Sequence, residues 1–76
     1  METKKVKNVW FRQNGNTLCY YAESISFDRS QCYIQIPGDD ENKFSLMKDG
    51  ITFNDSIDGK KLTIKVSMEN ISGIEF

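Results

Sequence analysis

Lys61-Leu62-Thr63-Ile64-Lys65-Val66 alternates polar and apolar residues without a break. A period of two sends successive side chains to opposite faces, so this stretch is a strand with one face in a core and one in water. Leu62, Ile64 and Val66 then need an apolar surface opposite them, and most of the chain is patterned to supply one. Toward the C-terminus, Ser67 to Asn70 reads as a short helical turn. Residues 71–76 read as a closing strand with Ile74 and Phe76 on one face. Toward the N-terminus, residues 55–60 form a turn that ends at Asp58-Gly59. Before it, residues 51–54 offer Ile51 and Phe53, and Asp49-Gly50 signals a hairpin. Residues 43–48 read as a further strand with Phe44 and Leu46 on one face, and Pro37 to Asn42 as a strand end followed by a solvated acidic loop.

The N-terminal half is organised by Asn14-Gly15. Residues 1–4 read as a frayed end, and residues 5–13 as a strand carrying Val6, Val9, Trp10 and Phe11. Asn-Gly between apolar segments favours a type I′ turn, because both residues tolerate positive φ. Residues 17–27 are then the return strand. A two-residue loop sets Phe11 opposite Leu18, Trp10 opposite Cys19, Val9 opposite Tyr20 and Asn8 opposite Tyr21. One face holds Val9, Phe11, Leu18, Tyr20 and Ala22. The other holds Val6, Trp10, Cys19 and Tyr21 among Asn8, Arg12 and Glu23. A three-residue loop would shift the pairing by one residue and regroup both faces. Leu18, Tyr21, Ala22 and Ile25 also stand at helical spacing, but the aromatic pair and the preceding turn signal favour a strand.

Asp28-Arg29-Ser30-Gln31 turns the chain into residues 32–36, with Cys32, Ile34 and Ile36 on one side and Tyr33 and Gln35 on the other. Phe27 then faces Cys32, and Ile25 faces Ile34. Residues 17–27 must therefore bury Leu18 and Tyr20 early but Ile25 and Phe27 late, on opposite faces. A bend or bulge near Glu23-Ser24 resolves the conflict by carrying the strand round a corner, a device of small barrels and orthogonal sandwiches. The whole chain, residues 1–76, reads as one all-β domain: a small curled antiparallel sheet or barrel of six to seven short strands. One alanine and three leucines leave few strong helix formers. The order of strand, short turn and closing strand at residues 61–76 is similar in outline to the end of SH3-like and Sm-like small barrels. That resemblance covers about a fifth of the chain and transfers no function.

The composition excludes more chemistry than it suggests. There is no histidine, so imidazole-based triads are absent, as is the commonest zinc ligand. Cys19 and Cys32 cannot complete a zinc site alone. With Cys32 facing Phe27, eight residues from Cys19, they are roughly 26 Å apart along the strand, so both are expected to be buried free thiols. The acidic stretches lack calcium-loop spacing, and the glycines are isolated turn residues. No catalytic residue, metal or cofactor is expected. The net charge of −1 creates no global field toward nucleic acid. No apolar run is long enough to span a membrane, and no apolar segment after the basic N-terminus suggests a signal peptide, so a cytoplasmic protein is expected. Trp10, Arg12, Tyr21 and Tyr33 form the candidate binding set, with Tyr20, Lys5 and Lys7 nearby. These rings could serve simply as core. Exposed, they suit a non-catalytic protein-binding module, a small adaptor or inhibitor using an aromatic and basic sheet face. The alternative is an oligonucleotide-binding small β-barrel. Assembly with a second copy would also help a chain whose stability is about 4–11 kcal/mol.

Overall fold

Asn14 and Gly15 have φ of 50° and 81°, positive at both central positions as a type I′ turn requires. In the computed structural model, which describes residues 2–76, this turn joins β2 (Asn8–Gln13) to β3 (Asn16–Tyr21). Phe11 faces Leu18, Trp10 faces Cys19, Val9 faces Tyr20 and Asn8 faces Tyr21, the two-residue register. The same register continues beyond both strands. β1 (Glu2–Lys5) runs antiparallel to β4 (Ser24–Asp28) with Lys5 opposite Ser24, where an unbroken hairpin from Asn14-Gly15 would place it. Between the halves, the Val6 N–H donates to the Glu23 carbonyl at 3.2 Å and the Ala22 N–H to the Lys7 carbonyl at 2.9 Å.

Glu2 to Asp28 is therefore one long hairpin folded at a corner, and its halves belong to different sheets. Burial shows why the corner exists. Tyr20 and Ala22 are buried two apart, and the next buried residue is Ile25, three further on. The alternation slips at Glu23-Ser24, where the burial conflict predicts a bend. Two expectations are corrected here. Residues 17–27 are two strands rather than one, because a single pleat cannot supply both burial phases. Residues 2–4 are not frayed but lie in edge strand β1, while Met1 lies outside the described residues. Gly15→Val would force a β-branched residue to positive φ, and a cost of about 1–3 kcal/mol is expected. An unchanged melting temperature would contradict the turn's role.

β4 returns through Arg29 (φ 58°) to β5 (Gln31–Pro37), with Phe27 opposite Cys32 and Ile25 opposite Ile34. β5 pairs with β7 (Lys61–Ser67), aligning Cys32 with Val66, Ile34 with Ile64 and Ile36 with Leu62. The short β6 (Phe53–Asp55) closes the other side of β7. A five-stranded sheet results, in the order β1-β4-β5-β7-β6. A 3-10 turn (Met68–Asn70) stands where a helical turn is expected, and β8 (Ile71–Glu75) then pairs with β2 to give a second sheet, β3-β2-β8. Among the described residues the strands thus number eight, not six or seven, and the two curled antiparallel sheets do not close into a barrel. Leu62, Ile64 and Val66 all lie in the core they share with Val9, Phe11 and Tyr20 of the smaller sheet. Phe11 and Tyr20 stack there, with ring centroids 5.9 Å apart.

The strand expected at residues 43–48 is instead the end of a helix, α1 (Asp40–Lys48). The acidic stretch is its start rather than a loop. Asp39 caps it, with Oδ1 accepting from the Asn42 N–H at 2.8 Å, and Asp40 and Glu41 sit at the positive end of the helix dipole. Asp49-Gly50 ends the helix rather than turning a hairpin. Gly50 adopts φ 73°, its N–H donates to the Met47 carbonyl, and the Ile51 N–H donates to the Leu46 carbonyl at 2.9 Å. These are the paired bonds of a Schellman cap. Leu46 is the only buried residue of α1.

Candidate binding face

Because Val9, Phe11 and Tyr20 turn inward, their neighbours Trp10, Arg12 and Tyr21 turn outward on the three-stranded sheet. Trp10 sits between Cys19 on β3 and Gly73 on β8. A Cβ at Gly73 would lie 3.6 Å from the indole Cε3, so the ring covers the glycine. This cover leaves Trp10 half-buried. Arg12 is exposed and Tyr21 is 62% exposed. Tyr21 is the diagonal cross-strand neighbour of Trp10, within reach for long side chains. At the end of the face, Asn8 Nδ2 donates to Glu75 Oε1 at 2.8 Å.

Three of the four candidate residues are therefore brought together, and the fourth is not. Tyr33 lies on β5 between Ser26 and Lys65, half-buried on the outer face of the other sheet. Sequence reasoning also missed a groove of about 480 Å³ where the outer faces meet at the corner. Tyr21, Lys5, Glu23, Gln35 and Lys61 line it, and Ser24 Oγ donates to Gln35 Oε1 at 3.1 Å on its wall. No local signal joins Lys61 to Lys5, because only the pairing of four strands brings them together.

A second groove, about 230 Å³, runs between β3 and α1 past Cys19, Tyr20, Asn42 and Ser45. Across it the buried Tyr20 hydroxyl donates to Asp49 Oδ2 at 2.5 Å. Burial first, and the Asp49 carboxylate second, push the Tyr20 phenol well above its ordinary range. Lys43 Nζ meets Asp55 at 3.0 Å and ties α1 to β6. That hydrogen bond and charge raise the Lys43 pKa. In the β6–β7 loop, the Ser56 hydroxyl and then the Lys60 N–H lower the Asp58 carboxyl.

The cysteines differ from each other. Both are free, but Cys19 is exposed, which corrects the expectation of two buried thiols. It stands on the same outer face as Trp10. Burial pushes the Cys32 thiol up. Among the described residues, no group of three or more histidine, cysteine, aspartate or glutamate residues is placed to hold a metal ion.

Because the Tyr20 pKa is raised by folding, its stabilising effect is whole below pH 10, the ordinary phenol value, and is lost as pH rises toward the folded-state value. Tyr20→Phe should cost about 1 kcal/mol near neutrality. Above that point the parent protein loses this advantage, so the gap should close within about one pH unit and then reverse. Urea unfolding at neutral and at alkaline pH checks this, and an equal gap at both would contradict it.

The face sets an aromatic area beside a guanidinium on the β2–β3 hairpin. Among the described residues, no helix is long and apolar enough to cross a membrane. Comparison with protein families, characterised proteins and solved structures finds no match to this chain.

Proposed function

We propose that the chain is a non-catalytic protein-binding module of the adaptor or inhibitor type, acting in the cytoplasm through the outer face of its three-stranded sheet. The observation that carries this reading is the grouping of Trp10, Arg12 and Tyr21 on one solvent-facing side of the β2–β3 hairpin. Trp, Tyr and Arg dominate interface hot spots, since they combine contact area with directional hydrogen bonding. A hairpin fixed by its turn and backed by the core loses little freedom on binding. A net charge of −1 suits recognition by shape and local contacts. The exposed free thiol of Cys19 suits a reducing compartment.

Capture from a lysate of the source cells, with and without nuclease, tests the proposal when the parent chain is compared with Trp10→Ala and Tyr33→Ala. The expected result is a protein that survives nuclease, is retained by Tyr33→Ala and is lost to Trp10→Ala. The expected loss is about 2 kcal/mol, roughly 30-fold in affinity. Because Trp10 is only half-buried, its truncation should cost less stability than the 3–5 kcal/mol typical of a buried tryptophan, about 1–2 kcal/mol. Capture of nucleic acid alone, or a protein indifferent to Trp10→Ala, would contradict the proposal.

A further inference from the structure

The corner groove lies beside the candidate face and shares Tyr21 with it. The larger sheet builds most of its other walls. β1 supplies Lys5, β4 Ser24, β5 Gln35 and β7 Lys61, and Glu23 stands on the corner itself. Ser24 pairs with Lys5 on one side and with Gln35 on the other. The two lysines therefore stand on either side of a Ser24–Gln35 floor. The Ser24 hydroxyl donates to Gln35 Oε1 at 3.1 Å, so the amide N–H groups of Gln35 are left to donate.

The charges at this groove are unpaired. Among the described residues the ion pairs join Lys4 to Glu2 and Lys43 to Asp55, and Lys5, Lys61 and Glu23 take part in none. Asp58, whose carboxyl feels the Lys61 charge, is held in its own loop by the Ser56 hydroxyl and the Lys60 N–H. The outer face onto which the groove opens is basic. The strands of the larger sheet turn Lys5, Lys61 and Lys65 outward against Asp28 alone. That is a net charge of +2 on a chain whose whole charge is −1.

We infer that the groove receives one acidic side chain, an aspartate or glutamate, of the protein that docks on Trp10. The inference rests on the protein-binding reading and adds the chemistry of the partner: an acidic residue next to the group that covers the aromatic face. A carboxylate has about four acceptor sites, enough for the donors that border the groove. These are the two ammonium groups, the Gln35 amide and the Tyr21 hydroxyl, and bonds from ammonium to carboxylate are the strong, charge-assisted kind. Glu23 decides against a polyanion. Nucleic acid brings a charge at every nucleotide, and those beyond the first would meet Glu23 in the groove and Glu75, which is bonded to Asn8 opposite Tyr21. A single carboxylate can keep to the lysines.

Two-dimensional NMR of the full chain, titrated with the end-blocked peptide Ala-Ala-Glu-Ala-Ala, tests this directly. The amides of Tyr21, Ser24, Gln35 and Lys61 are expected to shift, and the matching glutamine peptide should leave them in place. Lys5→Gln with Lys61→Gln should weaken the peptide by about fivefold, and Glu23→Gln should strengthen it, because each change alters the charge that a carboxylate meets. Both lysines are exposed, so the double variant should fold as the parent does, which its spectrum away from the groove checks. Equal shifts with the glutamine peptide, or an affinity indifferent to the two lysines, would overturn the inference. So would stronger shifts of the same amides by a short oligothymidylate, which would assign the groove to phosphate. Trp10→Ala should bind the peptide as the parent does while losing the captured protein. Failure of the groove therefore leaves the Trp10 dependence of capture standing, and failure of capture leaves the peptide result standing.

Discussion

Ile64→Ala is expected to remove about 2–5 kcal/mol, a large share of the stability of a chain this size. Ile64 has no exposed surface and stands on β7 between Ile34 of β5 and Phe53 of β6. Truncating a buried isoleucine costs about 2–5 kcal/mol, because transfer energy is lost and the cavity collapses only partly. A chain of this size has about 4–11 kcal/mol in all. The neighbouring Lys65 is exposed on the opposite side of the same strand, so Lys65→Ala should change stability by less than about 0.5 kcal/mol. Urea unfolding should show the Ile64→Ala midpoint falling sharply at an unchanged slope while the Lys65→Ala midpoint stays. Equal effects would mean that the alternation of residues 61–66 does not sort core from solvent.

Gly38→Ala is expected to be nearly as damaging, though it adds only one methyl group. Gly38 passes the β6–β7 loop so closely that a Cβ would fall 2.3 Å from the Gly59 carbonyl oxygen, 2.7 Å from the Lys60 carbonyl carbon and 2.9 Å from the Lys61 nitrogen. All three are backbone atoms, so no side chain can swing away. The Gly38 N–H also donates to the Lys60 carbonyl at 2.9 Å, and separating the segments would lose that bond. Overpacking costs about 1–3 kcal/mol and more where nothing yields, so a loss of about 3 kcal/mol is expected. Thermal unfolding measures it. A melting temperature within a degree of the parent's would show that the close approach is dispensable.

Much of the fold was legible because its signals are local. Asn14-Gly15 fixes the β2–β3 register, and the clash between burying Tyr20 and burying Ile25 marks the corner within a residue. The helix was missed although its caps are in the sequence. Phe44 and Leu46 stand two apart like strand residues, yet Phe44 is 67% exposed and Leu46 alone is buried. One anchor leaves no amphipathic stripe to read. Asp-Gly, moreover, serves a hairpin and a helix C-cap equally well, since both need a glycine at positive φ. What could decide between them was Asp39, three residues before Asn42, followed by two acidic residues in the first turn.

The grouping on the candidate face was legible for the same local reason. Trp10, Arg12 and Tyr21 share a side once the hairpin register is known. Tyr33 could not be placed this way, because pairing of β5 with β7, distant in sequence, assigns it to the other sheet. The exposure of Cys19 follows from the same sheet assignment. Its strand partner Trp10 leans over Gly73, and the groove between β3 and α1 leaves the thiol open on the other side.

Trp10 is the only tryptophan of the chain and stands in the face proposed to meet a partner. Acrylamide quenching of its fluorescence, measured on the free chain and on the captured complex, tests that assignment most directly. Partial quenching of the free chain and strong protection in the complex are the predicted results. Equal quenching in both states would contradict the assignment of this face as the contact surface.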